Sequence, residues 1–326
     1  MAGMNIKPLV HCAICGRPLR QPKEYGQRYY CQDHLAAFAQ DIPPVWQASA
    51  WMFGFLLLTI LGIGIAGQFL PREPQGTIRF IISASLSVLP ALGWLFFVYR
   101  SAARTRTEIP NLVLVVFTLA ALVAAAIVRP FLYSLINLDD WLTSTTPSNR
   151  FLGSILIGGA IHAFVLYTLV RYTVWQTPAF TRRVDGVLYG LAAAWGYTSA
   201  LNFLFVLDQG GVTLLNGSLR LITQTGAYLS ASLIIGYFLG RNRFENLPFF
   251  YLGLGFVLAA TVNGLLLYAG SELNNIQLSF DQSGFSPWPG LVVVTLVLAL
   301  SFGAVYGLFR RHNALTKARI EQMLNE

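Results

Sequence analysis

The run from Asp185 to Leu207, DGVLYGLAAAWGYTSALNFLFVL, is long enough to cross a bilayer as a helix and carries its one charge at its first residue. At four-residue steps it reads Gly186, Gly190, Ala194, Thr198 and Asn202, so one helical face holds only small or hydrogen-bonding groups. Lipid gives helices no hydrophobic reason to associate. Small residues that let backbones approach, and an amide that must find a partner, are what hold such a helix among others. The segment therefore reads as a helix enclosed by other helices, with the Asp185 carboxylate placed to cap its first free N–H groups.

Seven further apolar stretches accompany it, giving expected spans at about 47–70, 78–100, 111–136, 151–175, 186–207, 219–240, 248–268 and 289–310. With 55% hydrophobic and 11% charged residues, the fold class expected is an all-α polytopic membrane protein of about eight transmembrane helices. The net charge of +8 does not gather into a nucleic-acid patch, because Lys and Arg recur between spans. Of the 22 basic residues, 17 fall in the N-terminal segment, the even-numbered connections and the C-terminal tail. By the positive-inside bias both termini are expected in the cytoplasm, of a bacterial plasma membrane, and no cleavable signal peptide is expected. The domains expected are a cytoplasmic metal-binding knuckle at 1–44, the bundle at 45–310 and a basic tail at 311–326, which could lie on anionic lipid. Arg171 and Arg129 are expected to snorkel to opposite edges of the bundle. The outward loop 270–289, with Phe280, Phe285 and Trp288, is a candidate cover for the outer mouth.

Ahead of the spans, Cys12, Cys15, Cys31 and His34 form C-x2-C-x15-C-x2-H. Two-residue gaps let each pair grip one ion, and thiolates with imidazole suit tetrahedral zinc. All three cysteines are used, whereas a disulfide would leave one thiol over and would need an oxidising compartment. A zinc-ribbon or treble-clef-like module is expected, with Tyr29 and Tyr30 filling its small core. Such a closed site has no open position for catalysis.

None of the fourteen Asp and Glu residues falls inside a span, His162 is the one histidine within them, and no Lys or Cys joins it. Carboxylate, cysteine and core-metal chemistry therefore lack their groups. The remaining polar candidates are His162, Asn202, Gln224, Tyr228 and Asn263, and a histidine among hydrogen-bond partners is more often a satisfied interior residue than a catalyst.

The segment Asp185-Gly186-x-x-Tyr189-Gly190, followed by Gly196-Tyr197 and Asn202, resembles the central motif of the PrsW family of intramembrane proteases, roughly D-G-x-x-Y-G, G-F, E-N. The resemblance covers the span layout from about residue 78 onward. It implies a family fold in which glutamates and histidines activate water or hold a metal for peptide hydrolysis within the membrane. At those positions this chain has Leu201 for the glutamate before Asn, His162, Ala163 and Leu166 on the E-E-x-x-K helix, and Tyr228 and Asn263 for the later histidines. A catalytically inactive relative acting as a binding or regulatory scaffold is the expected function. The alternatives are an active intramembrane peptidase with an atypical site built from His162, Asn202, Tyr228 and Asn263, and a small-molecule or lipid carrier. Expected partners are membrane lipids and a transmembrane or cytoplasmic protein; nucleic acid is not expected.

Overall fold

Small residues at four-residue steps predict a close helix pair, and that pair lies at the centre of the protein. The computed structural model describes residues 10–13, 15–19, 21–25, 28–39, 45–69, 74–102, 108–142, 146–273 and 288–325. The hairpin β1 (Lys23–Tyr25) and β2 (Arg28–Tyr30), antiparallel with Lys23 opposite Tyr30, is followed by α1 (Gln32–Ala39). Next come α2 (Val45–Phe69), α3 (Gly76–Ala102) and α4 (Glu108–Val123), the last prolonged by π-helical turns at Ala124–Val128 and Pro130–Leu135. After the short α5 (Leu138–Leu142), α6 (Pro147–Leu152) runs through a π-helical Gly153–Gly159 into α7 (Ala160–Thr173). The chain closes with α8 (Asp185–Asp208), α9 (Asn216–Phe244), α10 (Tyr251–Leu273) and α11 (Trp288–Asn325).

Each expected span coincides with one long helical run, and six of the runs are both long and apolar enough to cross a membrane among the described residues. Of the other two, α2 has a shorter apolar stretch, Ser49–Ile60. The second, α9, carries an exposed Arg220 and a half-buried Gln224 near its start, yet Thr225 to Tyr237 is buried without a break, so Thr225, Ser230 and Ser232 face protein instead of lipid. The segment expected as a separate tail at 311–326 continues α11 as helix to Asn325. Of the loop 270–289, residues 274–287 with Phe280 and Phe285 lie outside the described residues.

Every residue of α8 from Asp185 to Ser199 is buried. Its small face meets α9 so closely that a Cβ on Gly186 would stand 2.2 Å from the Gly236 carbonyl oxygen. Farther along the same seam Thr198 Oγ1 lies 3.3 Å from Thr225 Oγ1, and Asn202 Nδ2 donates to Leu221 O at 3.2 Å and to Thr225 Oγ1 at 3.1 Å. On another side of α8, Gly196 packs against α4, where a Cβ would come 2.0 Å from Phe117 O.

Asp185 does its work backwards. Val184 holds the N-cap position, and the Asp185 carboxylate accepts the backbone N–H groups of Thr181 and Arg182, both at 2.7 Å. One turn inside the cap, it ties down the preceding loop instead of the first-turn amides expected from sequence.

The N-terminal module rests on the end of the bundle where α8 begins. Tyr25 stacks on Phe244 with centroids 6.0 Å apart, Phe244 on Phe180, and Phe180 on Tyr189 of the α8 motif. Arg28 donates to the Gln176 carbonyl at 3.0 Å, and α1 packs on α11, with Leu35 and Ile320 fully buried. At the opposite end Arg129 pairs with Asp208, and Arg150 with Glu272 at 2.8 Å.

Gly186→Ala should lower thermal stability in detergent by about 1–3 kcal/mol or more, since its methyl meets backbone that only a shift of the whole helix can relieve. Gly253→Ala, with nothing within 4 Å, should leave the melting curve unchanged apart from a small propensity gain.

Candidate functional site

Two groups of chemically capable side chains stand out, one at the knuckle and one in the bundle. In the knuckle, the Cys12 N–H donates to Arg17 O at 2.9 Å, the Gly16 N–H to Cys12 O at 3.0 Å, and the Ala13 N–H to Tyr29 O at 2.9 Å. The turn needs Gly16, whose φ of +68° lies in the left-handed region. β2 then delivers Cys31, and the first turn of α1 presents His34 on the same side. The ligand atoms of Cys12, Cys15, Cys31 and His34 all lie within 4.8 Å of one another. His34 Nδ1 is 3.1 Å from Cys31 Sγ and 3.5 Å from Cys12 Sγ, and none of the three cysteines is joined in a disulfide among the described residues. This set could hold a metal ion, with Nδ1 as the nitrogen facing it. Tyr30 fills the module's core, and burial, opposed by Arg28, pushes its phenol up to about 12, so it stays a neutral packing group beside the thiols. Tyr29, expected as filler, is 38% exposed.

In the bundle, α7 carries His162, α8 carries Tyr197 and α9 carries Tyr228, all fully buried or nearly so. His162 Nδ1 is hydrogen-bonded to the Tyr197 hydroxyl, and Nε2 lies 3.2 Å from the Tyr228 hydroxyl. Gln224 Nε2, one turn before Tyr228, donates to that hydroxyl at 3.1 Å. The rings also meet edge to face, with centroids 4.8 Å apart for His162 and Tyr228 and 5.4 Å for His162 and Tyr197. An uncharged imidazole offers one donor and one acceptor nitrogen, and the two hydroxyls take up both.

Of the five polar residues expected to converge, the structure thus gathers His162, Gln224 and Tyr228. Asn202 belongs to the α8–α9 seam, and Asn263 is fully buried on α10 with neither amide atom hydrogen-bonded among the described residues. Tyr197 was not among the expected site residues. Its signal was the Tyr standing where the motif carries Phe, a hydroxyl added at a buried position that then needs a partner. The motif residues Asp185, Gly186, Gly190 and Gly196 serve packing and loop anchoring, as their contacts show, and Tyr189 ends the aromatic stack that leads to the knuckle.

A bundle of long apolar helices around a buried polar seam defines a multi-pass membrane protein, and the Cys3His cluster at one end of it could hold a metal ion. The model of the PrsW family intramembrane metalloproteases matches residues 108–305, more than half of the chain, and this protein belongs to that family. Protease PrsW of Halalkalibacterium halodurans is 26% identical over 98 residues, which cover 30% of this chain and 44% of that relative. The alignment therefore spans less than half of the relative's length. No solved structure matches the chain. The knuckle, α2 and α3 lie outside the family match.

A metal inside the bundle, as the family description implies, does not fit the groups around His162. Both of its ring nitrogens are engaged by phenols, and among the described residues the one group of three or more His, Cys, Asp and Glu is that of the knuckle. The described carboxylates near the bundle sit at helix ends in ion pairs or backbone contacts, as for Asp185, Asp208, Glu245 and Glu272.

Tyr197→Phe strips one ring nitrogen of its partner in a site closed to water. It should cost about 1–3 kcal/mol in thermal or denaturant unfolding, and His162→Phe combined with it should cost less than the two changes summed.

Proposed function

We propose that this protein keeps the PrsW bundle without its hydrolytic chemistry and serves as a binding or regulatory scaffold in the membrane, with one structural zinc ion in the knuckle. The observation that carries this reading is the closed His162–Tyr197–Tyr228–Gln224 cluster. Phenols and an amide bind and orient but do not activate water as a carboxylate does, and the imidazole they saturate is not free to take a proton from it. The zinc assignment rests on four N and S donors converging without an open position, the pattern of structural sites. The distribution of Lys and Arg supports a cytoplasmic location for the knuckle and the end of α11, where thiols stay reduced. The plasma membrane of a bacterium is the setting proposed, and a transmembrane or cytoplasmic protein is the proposed partner.

Reconstituting the full-length protein in vesicles with a panel of single-span membrane proteins, beside an active family member, tests the reading. The expected result is intact substrate with this chain and cleavage with the active relative. Cleavage by this chain that is lost in His162→Ala would overturn it and would establish a peptidase with an atypical site.

A further inference from the structure

At the knuckle end of the bundle two arginines share one tryptophan. The guanidinium carbon of Arg171, in the last turn of α7, lies 3.4 Å from the centre of the Trp175 ring, and that of Arg243, in the last turn of α9, lies 4.8 Å from it. The ring is fixed by its Nε1–H, which donates to Leu239 O at 2.9 Å. The two cations are therefore no more than about 8 Å apart.

Neither has a carboxylate among the described residues. Glu245 is occupied by Arg183 at 3.0 Å and by Arg241 at 2.5 Å, and Asp185 by the backbone of Thr181 and Arg182. Arg243 is only 8% exposed, and its terminal NH2 nitrogen has no acceptor; buried NH1 of Arg171 also lacks one. Helix carbonyl ends and the face of Trp175 favour the positive charge, but they do not satisfy these donors. Arg28 of the knuckle donates to the carbonyl of Gln176, the residue after Trp175.

We propose that Arg171 and Arg243 form a binding site for a phosphate group, carried by the head group of an anionic phospholipid. Guanidinium forks match the several acceptor oxygens of a phosphate. The depth fits as well: Arg171 stands near the end of the span Pro147–Thr173, and its neighbour Tyr172 is 75% exposed, as aromatic residues at a membrane interface are. The bound head group would lie against the loop that joins the Asp185 anchor to the knuckle contact at Gln176, and so link lipid charge to the seating of the knuckle.

The test is the melting temperature of the full chain in nanodiscs of phosphatidylcholine alone, of phosphatidylcholine with phosphatidylglycerol, and of phosphatidylcholine with inorganic phosphate in the buffer. Phosphatidylglycerol should raise the wild-type value by several degrees. Arg243→Gln should lose most of that rise, yet melt no lower than wild type in phosphatidylcholine, because it removes a buried unpaired charge. Arg171→Gln, at a less buried position, should behave alike and serves if Arg243→Gln does not fold. Arg310→Gln, an exposed arginine of α11, should keep the rise. An equal rise in wild type and both variants would overturn the proposal. A rise with inorganic phosphate that both variants abolish would keep the phosphate site and overturn the lipid as its source.

Discussion

Everything in the bundle is positioned by the contact between α8 and α9, where Gly186 and Gly236 bring backbone against backbone. No side chain larger than hydrogen fits at 2.2 Å from a carbonyl oxygen, so the two backbones are in direct contact there. That approach has two results farther along the pair. It lets the short side chains of Thr198, Asn202 and Thr225 reach one another, and it brings Tyr197 and Tyr228 to either side of His162. The polar cluster is thus a product of the same seam that the motif glycines create.

Within hydrocarbon, such a cluster is stable only if its donors and acceptors are matched. His162 achieves this with two phenols, and the match leaves it closed to a metal and to water. The family fold is compatible with a centre in which, among the described residues, no carboxylate lies beside His162. A bundle whose packing rests on glycines and hydroxyls does not need a carboxylate or a metal at its centre to stand. The knuckle follows a separate logic, since a module of about thirty residues has too little core of its own and depends on a cross-link such as a metal. Here it gains further support from Tyr25 on Phe244 and from Leu35 beside α11.

The apolar runs made all eight helices legible, and the four-residue spacing from Gly186 to Asn202 foretold which face of α8 would meet a neighbour, because period and residue size are local properties. The Cys and His spacing likewise reads directly as a convergent set. What remained hidden depends on distance across the fold. Tyr197 stands where the motif carries Phe, and only the position of His162, thirty-five residues away, makes its hydroxyl matter. α9 is too polar to pass as lipid-facing, and its burial comes from neighbours on all sides. The direction taken by the Asp185 carboxylate depends on a one-residue shift of the helix start. α11 runs past residue 310 to Asn325, since a basic, alternating segment is equally suited to a lipid surface and to a helix that packs on a small module.

The most direct measurement of this account is metal per chain by elemental analysis of purified full-length protein, wild type beside Cys15→Ser, in buffer without added metal. One zinc per wild-type chain, and close to none in Cys15→Ser while its bundle still melts near the wild-type temperature, is the result predicted. It would place the metal in the knuckle alone and leave the His162 cluster as a packed polar core. A full equivalent of metal retained by Cys15→Ser, and lost only when His162 is also replaced, would contradict it and would mean that the bundle holds a metal of its own.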